Sequence, residues 1–170
     1  MLVLGVDPGL TGAIALLCST RGLLECADLP IEPNGTASGS MRDWVDVARF
    51  QALLADWSIR HDFAQHEVMA VVERPIPMPS LPAQTVASQF DTFGVIRALV
   101  TAKVSAKVGL TIVNPKEWKK LFGLKGGKED KNRSRECCLR LYPSAPVTRV
   151  KDHNRAESVL IGHWLLRGVA

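Results

Sequence analysis

The sequence predicts a single α/β domain spanning residues 1–170, built on a mixed five-stranded sheet flanked by helices. Three observations predict it. Short apolar runs recur at Leu2–Val6, Ala13–Leu17 and Val68–Val72, the pattern of strands buried on both faces, and Leu110–Val113 reads as another short strand. Segments of helical spacing separate the later runs, so those strands must be joined by crossovers and lie parallel. The first runs are linked only by turns, which permits antiparallel neighbours.

Each element has a local reason. Leu2–Val6 ends at Asp7-Pro8-Gly9, and with Gly12 this turn returns the chain into Ala13–Leu17 as a hairpin. Gly22-Leu23-Leu24 opens a third strand that ends near Asp28-Leu29-Pro30, completing a meander. Pro30–Met41 is rich in Pro, Gly and Ser and reads as a connecting loop; its stretch from Asn34 to Met41 is long enough to reach into the centre of a bound ligand. Val45, Phe50, Leu53, Leu54 and Trp57 approximate one helical face and precede the strand Val68–Val72. Pro75, Pro77, Pro79 and Pro82 can continue neither element. Helical spacing returns from Val86 to Val104, and Leu110–Val113 is stopped by Asn114-Pro115. The remainder is helical: Pro115–Phe122 with proline at its start, Asn132–Leu141, and roughly Asn154–Leu166.

Composition narrows the classes of function. With 46% apolar and 22% charged residues the chain has globular proportions, and at 170 residues it can bury about 70% of its unfolded surface without disulfides or a structural metal. Cys18, Cys26, Cys137 and Cys138 show no C-x-x-C spacing, which points to reduced thiols and a cytoplasmic compartment and away from zinc. Met1–Val6 lacks a basic flank and is broken by Asp7-Pro8, so it reads as neither signal peptide nor membrane span. The net charge of +4 is unevenly placed: residues 1–102 hold 6 Lys/Arg against 11 Asp/Glu, and residues 103–170 hold 15 against 6. Such asymmetry marks a surface that faces a polyanion, most often nucleic acid.

The acids point to the chemistry. Asp7 and Glu73 each end an apolar strand, and if those strands are parallel neighbours both carboxylates open on one sheet edge, where α/β folds bind ligands. Like charges brought together there call for a cation. A third acid comes from the last helix. His153 and Glu157, four apart, share one face; Asn154, three before Glu157, is nearly as close, and Asp152 can cap the helix.

Taken together, Leu4-Gly5-Val6-Asp7-Pro8-Gly9, Val72-Glu73, Trp118-Lys119-Lys120 with Lys131, and Arg155-Ala156-Glu157 resemble the RuvC-type Holliday-junction resolvases in the form carried by phages and prophages. The resemblance runs in order over nearly the whole chain. It implies a ribonuclease H-like fold, a homodimer joined through the helix that holds Phe90 and Phe93, and a nucleoid-associated enzyme acting on four-way DNA junctions or related branched DNA. It also implies catalytic and metal-ligating roles for Asp7, Glu73, His153 and Glu157. The fourth position is an Asp in most of the family; this chain has Asn154 there with His153 beside it. Hard carboxylate ligands suit Mg²⁺ or Mn²⁺; the resemblance implies two such ions, a pair that acts at roughly 3.5–4 Å separation, and hydrolysis to 5′-phosphate and 3′-hydroxyl ends.

Between Lys116 and Arg135 eight basic residues stand against three acids, interrupted by Gly123, Gly126 and Gly127, as suits close phosphate contact. Lys119, Lys120 and Lys131 match family positions that face the phosphates. Lys128, Arg133 and Arg135 join them by proximity, and Trp118 is placed either to stack on a base or to cover the core. Two other functions remain open on the sequence. A non-cleaving binder of branched DNA is compatible with Asn154 in place of a carboxylate. An actin- or sugar-kinase-like phosphotransferase shares the Gly5, Asp7, Gly9, Thr11 hairpin, but that architecture pairs two such domains around a nucleotide.

Overall fold

The computed structural model describes residues 1–35, 43–104, 109–127 and 130–169. Its elements run β1 (Leu2–Asp7), β2 (Ala13–Cys18), β3 (Gly22–Asp28), β4 (Ile31–Pro33), β5 (Asp43–Val45), α1 (Val47–Arg60), β6 (Val68–Glu73), α2 (Ala83–Thr101), β7 (Leu110–Val113), α3 (Pro115–Leu121), α4 (Asp130–Leu141) and α5 (His153–Val169), with short 3₁₀ turns at Phe63–Gln65 and Val150–Asp152.

The main sheet has the order β3-β2-β1-β6-β7. β1 pairs antiparallel with β2 and parallel with β6, β2 pairs antiparallel with β3, and β7 adds parallel to β6. This is the mixed sheet the sequence predicts, with its three N-terminal strands in a meander and its last two added by helical crossovers.

Strand alternation divides the core into two layers. Leu2, Leu4 and Val6 point with Val68, Ala70 and Val72 toward Phe50, Leu54 and Trp57 of α1 and Phe93, Ile96 and Val100 of α2. Val3, Met69 and Val71 point the other way, toward Trp118, Cys138, Leu160 and Ile161 of α3, α4 and α5. Both faces are covered, which is why β1, β2 and β6 carry no polar alternation. Each fully buried Leu, Val or Ile contributes roughly 1.5–3 kcal/mol on transfer from water.

α5 is the helix that lies against the centre of the sheet. Gly5 of β1 faces Ser158 and Gly162 of α5 so closely that a Cβ built on Gly5 would stand 2.3 Å from the Ser158 carbonyl oxygen. The two glycines let the helix backbone approach the strand, and this seats the first turns of α5 beside the end of β1. Asp46 caps α1, accepting from the Arg49 N–H at 2.9 Å.

One part of the predicted loop is ordered otherwise. β4 and β5 form a separate two-stranded ribbon, with Glu32 opposite Trp44 and the Trp44 Nε1 donating to Glu32 Oε1 at 3.1 Å. The rest of the predicted Asn34–Met41 loop, from residue 36 on, lies outside the described residues. Among the described residues no helix is long and apolar enough to cross a membrane.

Candidate active site

β1 and β6 run parallel with Val6 opposite Val72, so Asp7 and Glu73 are the next residues along the same register and leave the sheet at one edge. Glu157 joins them from the second turn of α5, where Ala156, Val159 and Leu160 are fully buried against the sheet. The three charges act on one another. Burial, then Glu73, then Glu157 raise the Asp7 carboxyl well above its ordinary range, against partial relief from Lys119 and the Gly9 backbone N–H. Burial pushes Glu73 up to about 6, with Glu157 adding to the rise and Trp118 and Lys119 opposing it.

α3 holds two of these acids through consecutive residues. It begins where β7 ends: Asn114 caps it by accepting from the Lys116 N–H at 2.9 Å, and Pro115 supplies the preset φ of a first helical position. Trp118, with no exposed surface, then donates its Nε1–H to Glu73 Oε2. The next residue, Lys119, places Nζ 3.5 Å from Glu157 Oε2 and 5.1 Å from the centroid of the Trp118 ring. From α4, the buried Ser134 Oγ donates to Glu157 Oε1 at 3.1 Å. Of the two roles open to Trp118, the indole takes the core position, so base stacking is closed to it. Neither the Trp118 bond nor Ser134 has a sequence signal: a lone serine in a helix carries no pattern, and a buried tryptophan among lysines reads as core.

Asp7 and Glu73 line a cavity of about 190 Å³ together with Gly9, Ile76, Met78 and Gln89. A larger cavity of about 560 Å³ contains Thr11, Asp28, Lys131, Lys151, His153 and Asn154. The structure therefore brings Asp7, Glu73 and Glu157 together and sets His153 in the other cavity, with its Nδ1 3.4 Å from the Val150 carbonyl. Asn154 reaches the hairpin instead, donating through Nδ2 to the Thr11 carbonyl and, at 3.1 Å, to Thr11 Oγ1. Asp152 is consumed as a cap: it accepts from the Arg149 N–H at 2.8 Å and from the Arg149 guanidinium at 2.7 Å, which holds its carboxyl below the ordinary range.

The basic residues divide in the same way. Lys119 is in the site, and Lys120 and Lys131 are exposed. Arg133 bonds Asp130 at 3.3 Å and the Gly123 carbonyl at 3.1 Å, while Arg135 bonds the carbonyls of Val147 at 2.9 Å and Thr148 at 2.6 Å. Both guanidiniums thus tie loops to α4. Lys128 lies outside the described residues.

As a donor set, three carboxylates fit a hard divalent ion. Among the described residues no three His, Cys, Asp or Glu side chains are placed to hold one ion between them. Mg²⁺ keeps several waters and takes one or two carboxylates, with substrate phosphates completing the shell, and Asp7 and Glu73 line one cavity. His153 lines the cavity beyond Thr11.

No protein-family model and no curated protein matches the chain. Solved structures do. RuvC from Thermus thermophilus in complex with Holliday junction substrate superposes with a TM-score of 0.65 at 14% identity, over 99% of this chain and 95% of that one. A second Thermus thermophilus RuvC structure gives 0.60 at 17% identity, over 99% and 97%. The five-stranded mixed sheet, its flanking helices and the near-complete overlap give this chain the ribonuclease H-like fold of RuvC, as the motif resemblance implies.

Proposed function

We propose that the chain is a metal-dependent endonuclease that cuts branched DNA, four-way junctions first among them, as a homodimer in the nucleoid-associated cytoplasm. The observation that carries this reading is the convergence of Asp7, Glu73 and Glu157 at the carboxyl edge of the sheet, on the fold of a protein solved with a Holliday junction. A two-fold dimer matches a substrate that needs two symmetric cuts.

Two divalent ions would be held by Asp7 together with Glu73 and Glu157. When bound, the pair supplies activation of the attacking water and stabilisation of the leaving 3′ oxygen of an in-line displacement, leaving 5′-phosphate and 3′-hydroxyl ends. The chain's own residues prepare that site. Trp118 fixes one oxygen of Glu73 and, among the described residues, nothing bonds the other, while Ser134 and Lys119 fix Glu157. Exposed Lys120 and Lys131 stand where phosphates approach, giving sequence-independent affinity.

A second reading has its own observation. Asn154, at the position where an acid is usual, spends its amide on Thr11, which fits a protein that binds branched DNA without cutting it. Labelled four-way, three-way and linear DNA, incubated with wild type and Asp7→Asn in Mg²⁺, Mn²⁺ or EDTA, separates the two. Paired, metal-dependent nicks on the junction, lost in the variant while binding persists, are expected of the nuclease. Binding without nicks in any metal establishes the second reading.

A further inference from the structure

The acid cavity does not end at Asp7 and Glu73. Gly9 and Gln89 also line an adjoining cavity of about 300 Å³, whose other walls include Thr11, Thr85, Ser88 and Thr92. Among the described residues no charged side chain lines it. Thr85, Ser88, Gln89 and Thr92 stand at 0, +3, +4 and +7 on α2, which puts them on one face of the helix, next to the face that packs Phe93, Ile96 and Val100 into the core. Gln89 is half-buried at the meeting of the two cavities, and among the described residues its carboxamide makes no hydrogen bond.

Charge separates this groove from the surface that takes phosphates. Lys131 and Lys151 line the cavity beyond Thr11, and among the described residues neither has a carboxylate partner. Asp28 on that wall is neutralised by Arg155 at 2.6 Å, and Asp152 by Arg149. The basic side therefore suits the strand backbone, whereas hydroxyls and one amide beside two carboxylates cannot neutralise a phosphate. A carboxamide presents a donor and an acceptor together. Phosphate and deoxyribose within a DNA strand offer acceptors only, so the part of a DNA substrate that uses both functions of Gln89 is the edge of a base.

We propose that Gln89 is a specificity-determining residue that reads the base next to the scissile phosphate, with Thr85, Ser88 and Thr92 forming the neutral wall against which that nucleotide lies. This rests on the nuclease reading, and the test is chosen to separate the two. Mobile four-way junctions whose branch point migrates through every base at the positions flanking the cut are cleaved by wild type, Gln89→Ala and Gln89→Met. Cut sites are read by sequencing. Junction binding in EDTA and Mn²⁺ binding to the free protein are measured alongside.

Wild type should show a skewed distribution of cut sites. Both variants should flatten that skew by at least about fivefold, the lower end of what one base-edge contact discriminates. Junction binding and Mn²⁺ affinity should change less than twofold. The methionine variant keeps the length of the side chain, so flattening there assigns the effect to hydrogen bonding and not to shape. An unchanged distribution overturns the proposal, as does a uniform fall in cutting with the distribution kept, and so does a wild type that cuts without preference. If wild type makes no cut in any branched DNA, the nuclease reading itself fails and this proposal falls with it.

Discussion

The indole of Trp118 gives its single N–H to Glu73 from a position with no exposed surface, so one bond directs that carboxylate and favours its ionised form against the burial that raises it. Trp118→Phe removes the donor and keeps an aromatic ring in the core. Partners that orient a metal ligand typically cost about 10–100-fold in metal affinity or activity when lost. Mn²⁺ binding to the free variant, followed by calorimetry, is expected to weaken within that range; unchanged affinity would show that the bond does not orient Glu73. Ser134→Ala makes the same test for Glu157 at lower cost to packing, because it removes one hydroxyl. His153 belongs to the opposite cavity, so His153→Gln should leave Mn²⁺ affinity within about twofold of wild type. A tenfold loss there would return His153 to the metal site.

Among the elements, α5 is the one on which the site depends, because it carries Glu157 and is held against β1 by two glycines. A Cβ on Gly162 would meet Leu17 Cδ1 at 2.4 Å, and one on Gly5 would meet the backbone of α5. Gly5→Ala has no flexible neighbour to displace, so the helix must move off the strand. Overpacking of this kind costs about 1–3 kcal/mol or more, and urea denaturation should show it in the midpoint. Gly162→Ala meets the end of a leucine side chain and should cost less. The strands that carry the acids were legible because they are buried on both faces, and Asp7 and Glu73 end β1 and β6 as expected; Leu110–Val113, less buried, is bounded by Asn114-Pro115 as the sequence predicts. β4 and β5 were not legible. Three residues each, all exposed in β4 and with Val45 alone buried in β5, are too few to leave a pattern against Pro, Gly and Ser. The helical spacing of His153 and Glu157 does not by itself bring both side chains to one place. Four residues advance a helix by roughly 6 Å, enough for one side chain to reach the acids and the other a separate cavity, and His153 is only the first residue of α5.

At the scale of the whole molecule, the site is bought with stability. The folded protein raises Glu73 from 4.5 to about 6, so between those values it binds more protons than the unfolded chain. The contribution of Glu73 is therefore fully present below pH 4.5 and is lost as pH rises through about 6; Asp7, also raised, acts in the same direction. His163 works the other way. Burial and Arg167 lower its imidazole below 6.5, so it loses stability as pH falls through that range, and a plain pH profile would mix the two. Glu73→Gln isolates the acid term, since His163 is common to both proteins and glutamine still accepts from Trp118. In EDTA at pH 7.5 the variant is expected to be more stable than wild type by on the order of 1–2 kcal/mol. That corresponds to about 2–6 °C in melting temperature for a chain of this size. At pH 4.5 the two should melt together. Mn²⁺ should reverse the order at pH 7.5, because a cation that binds only the folded state neutralises the repulsion in wild type and finds one ligand fewer in the variant. Equal melting temperatures at pH 7.5 in EDTA would mean that the three carboxylates do not strain the fold.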